Sequence, residues 1–364
     1  MGFRCGIVGL PNVGKSTIFN AMTSAGIESA NYPFCTIEPN VGMVSVPDER
    51  LTTLARMAKT RKTIYAQMEF VDIAGLVAGA SQGEGLGNQF LGHIRQVDAI
   101  AHVIRCFEDP NIVHVDEGID PLRDREVINT ELILADLDTV ERRLVKTRSQ
   151  AKSGDKLFKQ QVKTLEDLQE LLDQGKPARL LETDDNSATL LRELCLLTSK
   201  PTLYVANVAE EDIATGNQWV DKLKEAVAEE EAPVVVISGA IEEELSSLDP
   251  DEQAEYLADL GMETSGLTRL IKAGYDLLGL CNYFTVGEKE TRAWTIKKGA
   301  TAPEAAGVIH SDFQKGFIRA EVVAYEDFVA CGGEAGAKEK GLWRLEGKEY
   351  VVQDGDCVNF RFNV

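Results

Sequence analysis

The chain has 364 residues, 38 of them basic and 59 acidic, so its formal net charge at pH 7 is −21. A single hydrophobic core rarely organises a chain of this length, so the length predicts two or three domains. The acidity argues against a protein that coats nucleic acids non-specifically. No apolar run approaches the length of a membrane span. The seven cysteines form no C-x-x-C pair, which disfavours a zinc site or a disulfide framework. We therefore expect a cytoplasmic protein in a reducing compartment.

The N-terminal third has the pattern of an α/β fold. Residues 3–9 are a short apolar strand candidate, and residues 16–24 continue as a helix. Two more strand candidates follow at 68–72 and 98–105. Strands that alternate with helical patterns predict a parallel sheet with crossover helices.

A helical insertion is predicted over residues 128–200. Apolar residues recur at helical spacing on both sides of the turn-forming residues 153–155, which predicts two long antiparallel helices. Around this turn, residues 142–163 carry eight basic side chains against one acidic, a net charge of +7. The basic residues are Arg142, Arg143, Lys146, Arg148, Lys152, Lys156, Lys159 and Lys163. Such a run is either a solvated helix face or a surface for an anionic partner.

The chain returns to α/β after the insertion, with buried strand candidates at 202–206 and 234–237 on either side of an acidic helix. Residues 281–364 then read as a small α+β unit around one helix at 302–310. Its strands are predicted at 291–296, 316–324, 349–352 and 357–362. We therefore predict one domain over residues 1–280, with the insertion inside it, and a second over 281–364.

A phosphate-binding loop is predicted at residues 9–16. Their sequence, GLPNVGKS, matches G-x-x-x-x-G-K-[ST]. Glycines let the backbone curl so that N–H groups point at phosphate oxygens, while Lys15 reaches the β- and γ-phosphates and Ser16 binds Mg²⁺. The helix that begins near Lys15 adds its positive dipole end. A glycine-rich turn with a surface lysine is the alternative, but it does not require the predicted strand before it and helix after it.

Two further parts of a nucleotide site follow in order along the chain. Asp72 ends a strand and is expected to hold Mg²⁺, and the N–H of Gly75 is expected to meet the γ-phosphate. Thr36 lies in a loop between these parts and would complete the Mg²⁺ shell, although taken alone it is an ordinary loop residue. Cys35 is its neighbour, and oxidation of this thiol is expected to disturb the loop. The alternative is that the Cys35 thiol is inert.

The loop NVGKST at 12–17, the F-x-T-x-x-P-N segment at 34–40 and the D-x-A-G-L segment at 72–76 resemble the YchF / Obg-like ATPase family. The resemblance extends through the insertion and the C-terminal unit. It implies a G-protein-like P-loop NTPase fold with an inserted antiparallel hairpin and a C-terminal β-grasp (TGS) domain. It also implies that the protein hydrolyses ATP with Mg²⁺ and binds the ribosome, and we expect a monomer. The phosphate contacts would come from Asn12, Val13, Gly14, Lys15, Ser16, Thr17 and Gly75.

The base preference depends on Asn207-Val208-Ala209-Glu210. A guanine-specific G protein has N-K-x-D here, and its Asp accepts hydrogen bonds from two guanine donors. This chain lacks the Lys and has Glu in place of Asp, and an unpaired buried donor costs about 1–3 kcal/mol. ATP is therefore favoured over GTP. The resemblance implies the same, with Asn207, Val208 and Glu210 beside the base and Ser238, Gly239 and Ala240 as the last base-contacting loop. Alternatively, Asn207 caps the helix that follows it.

Hydrolysis is expected to be slow unless a substitute for the usual glutamine exists. Many G proteins place a Gln after D-x-x-G to orient the attacking water, and this chain has Leu76 there. By resemblance, His93 is the candidate that positions or activates water, and a surface helix histidine is the alternative. Gln82 is a less favoured substitute. Loops 30–40 and 75–92 are expected to respond to the γ-phosphate as a switch.

Partner binding is assigned to two regions. Lysines and arginines of the basic hairpin would contact phosphates without reading bases, and the resemblance points to the ribosome. The TGS-like domain is expected to bind RNA or another ligand, with a purely packing role as the alternative. Two other functions stay open: a GTPase in ribosome assembly, and a binding module that hardly turns its nucleotide over.

Overall fold

The structure is a computed structural model that describes residues 3–25, 40–73, 86–111 and 118–363. Thr36, Cys35, Gly75, Leu76 and Gln82 lie outside the described residues, as do most of the two loops predicted to act as switches. In the described part of the chain, no helix combines the length and the low polarity that a bilayer span demands.

Strands and helices are numbered along the described chain. The strands are β1 Arg4–Val8, β2 Val41–Ser45, β3 Thr63–Ile64, β4 Gln67–Asp72, β5 Ala99–Arg105, β6 Thr202–Asn207, β7 Val234–Ile237, β8 Leu280–Thr285, β9 Thr291–Lys297, β10 Phe317–Val323, β11 Arg344–Glu346 and β12 Cys357–Phe362. The helices are α1 Lys15–Ala25, α2 Glu49–Met57, α3 Leu86–Arg95, α4 Pro121–Ala151, α5 Lys156–Asp173, α6 Asp185–Leu194, α7 Gln218–Ala226, α8 Gly239–Leu245, α9 Pro250–Asp259, α10 Gly266–Leu277, α11 Ala302–Ile309, α12 Ser311–Lys315, α13 Tyr325–Ala330 and α14 Glu334–Glu339.

The first compact unit comprises Met1–Met43 and Glu69–Gly274. Its sheet has the strand order β2-β4-β1-β5-β6-β7, and β1, β4, β5, β6 and β7 pair in parallel. Every residue of β5 and β6 is buried, as expected for parallel strands covered on both faces. The register pairs Arg105 with Asn207 at the carboxyl ends of these strands. Ligands of open α/β sheets bind at that edge, so the topology places the site there.

The predicted helical hairpin is present as α4 and α5. Its turn is set by Asp155, whose side chain accepts a hydrogen bond from the Leu157 N–H at 2.8 Å and so begins α5. The buried stripes of the two helices meet at residues such as Leu144 and Leu165, and α6 adds Leu190 to the same cluster. The first helix begins at Pro121, seven residues before the predicted start of the insertion.

A buried polar network fixes both legs of the hairpin to the rest of the unit. Arg125 near the start of α4 and Arg179 after α5 both donate to the carboxylate of Glu230, Arg179 through Nε at 3.0 Å. The Tyr204 hydroxyl on β6 accepts from Arg125 Nε at 3.2 Å and lies 3.2 Å from Glu230 Oε2. Because the Glu230 side chain is 3% exposed, its charge is stabilised by these partners rather than by water.

Replacing Glu230 with Gln is therefore expected to lower the free energy of unfolding by about 3–5 kcal/mol, since the two arginines, whose side chains are only 14–15% exposed, lose the counter-charge that they share. Urea denaturation followed by circular dichroism measures the change. The matched control is Glu229→Gln, because Glu229 is exposed and its ion pair with Lys176 lies at the surface. That control should cost about 1 kcal/mol or less. Equal effects of the two variants would contradict the role given to Glu230.

The second compact unit comprises Val44–Met68 and Tyr275–Val364. Its sheet has the order β11-β10-β12-β8-β9-β3, with an antiparallel β8–β9 pair and a parallel β3–β9 pair. Tyr283, Ala305 and Phe360 lie in its core, and α11 packs on it. The unit thus contains the predicted 281–364 region, but it also includes residues 44–68, which the sequence analysis placed in the first domain.

The strand predicted at 349–352 is absent. Val351 forms an isolated bridge to Thr301, and the Val352 N–H donates to the Ala300 carbonyl at 3.0 Å. The segment thus pairs with the turn that precedes α11 instead of with a strand, so its apolar residues pack without extending the sheet. A strand instead forms just before it, at β11.

Candidate nucleotide-binding site

The phosphate-loop sequence connects β1 to α1 and has the backbone conformation that its glycines permit. Gly14 has φ +96°, and a Cβ there would lie 2.2 Å from Asn207 Nδ2. A Cβ on Gly9 would lie 2.4 Å from the Val103 carbonyl oxygen. Contacts this close exclude any larger side chain, so both glycines are required by packing. Asn12 and Ser16 are exposed, Thr17 is half-buried, and Val13 is buried.

Lys15 is folded back over this loop. Its side chain is buried, and Nζ donates to the Leu10 carbonyl oxygen at 2.6 Å. Burial lowers the pKa of Lys15, and the nearby Asp72 carboxylate partly opposes that shift. The ammonium is thus already held at the loop, where a phosphate oxygen would replace the carbonyl as its partner.

Asp72 and Ser16 form a second part of the site. Ser16 Oγ donates to Asp72 Oδ2 at 3.4 Å, and Asp72 Oδ1 is buried with no hydrogen-bond partner among the described residues. Burial raises the pKa of Asp72, while Lys15 and Ser16 oppose the shift. A buried carboxylate oxygen without a partner, beside a hydroxyl, fits a hard cation such as Mg²⁺. The third predicted ligand, Thr36, lies outside the described residues.

Asn207 joins three elements at the carboxyl edge of the sheet. Its Nδ2 donates to the Val13 carbonyl at 2.9 Å, and its Oδ1 accepts from the Gly239 N–H at 2.9 Å. The residue is 3% exposed. Asn207 therefore binds the start of α8 and not the turn that follows it, which differs from the helix-capping alternative. The predicted base contact of Asn207 stays a prediction.

The other predicted base contacts lie in different environments. Val208 is buried in an apolar cluster with Ile213 and Val220, so its side chain faces that core. Glu210 is exposed in a short 3₁₀ turn, and Ala240 is exposed in the first turn of α8. Ser238 and Gly239 are buried beside Asn207. The structure thus brings together residues 207, 238 and 239 with the phosphate loop.

Two buried residues near the site were missed by the sequence analysis. Glu242 on α8 accepts from the Gly266 N–H at 2.6 Å, which fixes the start of α10, and burial raises its pKa. His102 on β5 is 2% exposed with its ring centroid 5.5 Å from that of Tyr204. Burial, followed by the charges of Arg125, Arg179 and Lys15, lowers the pKa of His102 to about 3. The sequence signal for His102 is its position inside the otherwise apolar strand AIAHVIR, which places a titratable side chain in the core.

His93 lies on α3 with an exposed side chain. The glycine-rich loop that leads into this helix is outside the described residues, so the water-positioning role of His93 stays a prediction.

We expect His93→Ala to leave the dissociation constant for a non-hydrolysable ATP analogue nearly unchanged and to lower kcat by about 100-fold, the lower end for loss of a general base. Calorimetry and single-turnover phosphate release measure the two quantities. Gln96→Ala, an exposed change just after the same helix, is the control. Full turnover in His93→Ala would show that this histidine is only a surface residue.

The basic residues around the hairpin turn divide into two groups. The arginines are ion-paired: Arg142 with Asp138, Arg143 with Glu193 and Arg148 with Glu166. The lysines are exposed and make no ion pair within the described residues; they are Lys146, Lys152, Lys156, Lys159 and Lys163. The lysines therefore supply the uncompensated positive charge.

Comparison with known proteins agrees with this geometry. A family model described as "50S ribosome-binding GTPase" matches residues 4–136. The model YchF-GTPase_C, described as "Protein of unknown function (DUF933)", matches residues 280–363. The "Ribosome-binding ATPase YchF" of Bacillus subtilis is 58% identical over 366 residues, with 100% of both chains covered. The chain belongs to the YchF family. The YchF proteins of Haemophilus influenzae and Escherichia coli O157:H7 are 57% and 55% identical over the full length of each chain.

Two solved structures share the fold of this chain. The Schizosaccharomyces pombe YchF GTPase matches with a TM-score of 0.90 and 38% identity, over 99% of this chain and 98% of that one. A GTP-binding protein from Pyrococcus horikoshii has a TM-score of 0.61 at 20% identity, covering 99% of this chain and 100% of that one, which indicates a shared fold. The predicted fold class is confirmed: a P-loop NTPase unit with an inserted helical hairpin, and a C-terminal sheet unit.

Proposed function

We propose that this chain is a Mg²⁺-dependent triphosphatase that converts ATP to ADP and phosphate and acts as a nucleotide-controlled, ribosome-binding switch. The observation that carries the catalytic part is the buried Lys15 ammonium, held at the phosphate loop beside the Asp72 carboxylate. Curated relatives at 55–58% identity are named ribosome-binding ATPases, which supports both parts.

The residues would act mainly by positioning and by charge. Backbone N–H groups of the phosphate loop and Lys15 would bind the phosphates and stabilise charge that develops on them. Ser16, Thr36 and Asp72 would hold Mg²⁺, which neutralises phosphate charge when bound. Asn207 keeps the loop fixed to β6 and α8, so the donors are already oriented before nucleotide arrives. His93 would position the attacking water.

The preference for ATP rests on the segment 207–210, which lacks the Lys and Asp that select guanine. A GTPase is the second candidate, because the S. pombe relative is described as a GTPase. Calorimetry with non-hydrolysable ATP and GTP analogues, each with and without Mg²⁺, separates them. We expect Mg²⁺-dependent heat with the ATP analogue and weaker binding of the GTP analogue. Tight binding of the GTP analogue alone would contradict the proposed base preference.

The ribosome-binding part rests on the hairpin lysines, whose charge is not balanced by acidic partners within the described residues. Their phosphate contacts would add affinity without base reading. We also propose that the protein is a cytoplasmic monomer and that the C-terminal unit contributes an RNA contact.

A further inference from the structure

Helix α3 ends against a lysine from a distant part of the first unit. The last carbonyl groups of a helix have no partner within it, and a cation near them also interacts favourably with the helix dipole. Lys200 Nζ donates to the carbonyl oxygen of Arg95, the last residue of α3, at 3.3 Å. It also donates to the Val97 carbonyl oxygen at 2.5 Å. One ammonium group thus binds both the end of α3 and the segment that leads into β5.

This ammonium is held by backbone carbonyls and not by a carboxylate. Lys200 is half-buried, and it makes no salt bridge within the part of the chain that the structure describes. Burial lowers the pKa of Lys200, while the nearby Asp98, Cys195 and Asp136 oppose that shift. Since the ammonium has lost part of its hydration, the two carbonyl oxygens serve as its acceptors, and its removal would leave them without this donor.

The loop that carries Lys200 is fixed from its other side by α4. Asp136 on α4 is 2% exposed, and its carboxylate accepts from the N–H groups of Leu197 and Thr198, each at 2.8 Å. The Thr198 hydroxyl donates to Asp136 at 2.7 Å and accepts from the Ala178 N–H at 2.9 Å. The Lys200 N–H donates to the Leu197 carbonyl at 3.3 Å. Lys200 therefore extends towards α3 from a loop that the hairpin helix holds in place.

The end of α3 that Lys200 binds is also the part that carries His93. This histidine lies two residues before Arg95, in the last turn of the helix. Its carbonyl oxygen accepts from the Gln96 N–H at 3.0 Å, so the backbone of His93 is joined to the segment between Arg95 and Val97. A misplacement of about 1 Å can lower the rate of an enzyme about 100-fold. The attachment of this turn therefore limits where the His93 ring can lie.

We propose that Lys200 is a positioning residue for ATP hydrolysis: it fixes the last turn of α3 to the loop held by α4 and so orients His93. The inference rests on the proposed ATPase and on the role proposed for His93. It adds to the hairpin a second role, the support of the helix that carries the water-positioning group. The attachment of α3 itself is measurable without any turnover.

Amide hydrogen exchange, followed by mass spectrometry without nucleotide, tests the attachment. Lys200→Met keeps the length of the side chain but removes its donors, whereas Lys200→Arg keeps them. We expect Lys200→Met to accelerate exchange over residues 87–97 about fivefold and Lys200→Arg to restore the parent rate. Exchange in α7 should stay unchanged, which separates local release of α3 from a general loss of stability. Lys222→Met, an exposed change on α7, is the matched control and should leave α3 as it is.

Single-turnover hydrolysis at saturating ATP tests the effect on catalysis. We expect Lys200→Met to lower kcat about tenfold, with an unchanged dissociation constant for a non-hydrolysable ATP analogue, and Lys200→Arg to recover most of the loss. In the His93→Ala background, adding Lys200→Met should cause no further loss, because both changes remove the same contribution.

The two proposals fail in different ways. Absent turnover in the parent protein would refute the proposed ATPase. Unchanged exchange in α3 of Lys200→Met would overturn the positioning role, and so would turnover of that variant within twofold of the parent. A tenfold loss that persists in the His93→Ala background would also overturn it, since Lys200 would then act independently of His93.

Discussion

Replacing Lys15 with Met is expected to reduce ATP turnover by about 10²–10³-fold, the loss found when one preorganised donor to a developing charge is removed. Methionine keeps the length and apolar stem of the side chain but removes the ammonium that now donates to the Leu10 carbonyl at 2.6 Å. Because Lys15 is 7% exposed, its charge acts in a site from which most water is excluded. Single-turnover phosphate release at saturating ATP measures the effect.

The control for this experiment is Lys222→Met, an exposed lysine on α7 in the same unit. It should retain full turnover and stability. Lys15→Met should also retain a native circular dichroism spectrum, because within the described residues the ammonium hydrogen-bonds a backbone carbonyl and makes no salt bridge. Turnover within twofold of the parent would show that phosphate charge is stabilised elsewhere and would contradict the site as described.

Reversing Lys152, Lys156 and Lys159 to Glu is expected to abolish co-sedimentation with ribosomes at low salt. These three exposed lysines surround the hairpin turn, and their change moves the local charge by −6, from +7 to +1 over residues 142–163. Each lost phosphate contact should also reduce the slope of log affinity against log salt by about one. Sedimentation over a salt series provides both quantities.

The matched control reverses Lys222, Lys224 and Lys272, which are exposed on α7 and α10 of the same unit. The net charge of the protein changes by the same amount, so any difference reports the position of the charge. Equal loss in both triple variants would indicate general repulsion between acidic protein and RNA. Undiminished sedimentation of the hairpin variant would contradict the assigned surface.

Local patterns were sufficient to predict the phosphate loop, the first strands and the hairpin. The loop sequence specifies its own backbone, and long amphipathic helices have a strong period, so distant residues add little to either. The role of Asn207 could be predicted only in part from the sequence, because its partners Val13 and Gly239 lie 194 and 32 residues away along the chain. The strand predicted at 349–352 was wrong because apolar content does not reveal which neighbour a segment pairs with.

Contacts between distant segments explain the remaining differences between the predictions and the structure. Nothing in the local sequence of residues 44–68 indicates that they pack with the C-terminal region, since α2 and β3 have ordinary helix and strand patterns. The charge pattern likewise gave eight basic hairpin residues equal weight. The structure separates them, because the arginines have acidic partners, Arg142 on its own helix and the other two on neighbouring helices, and the lysines have none within the described residues.

The second compact unit is assembled from two segments separated by roughly 200 residues. At synthesis rates of about 5–20 residues per second, its first segment leaves the ribosome roughly 10–40 seconds before the second is made. During that interval β3 lacks β9, its only paired strand among the described residues. A chain that stops before residue 275 would therefore expose apolar residues such as Leu51, Leu54 and Ile64, and it would be a substrate for chaperones or proteases.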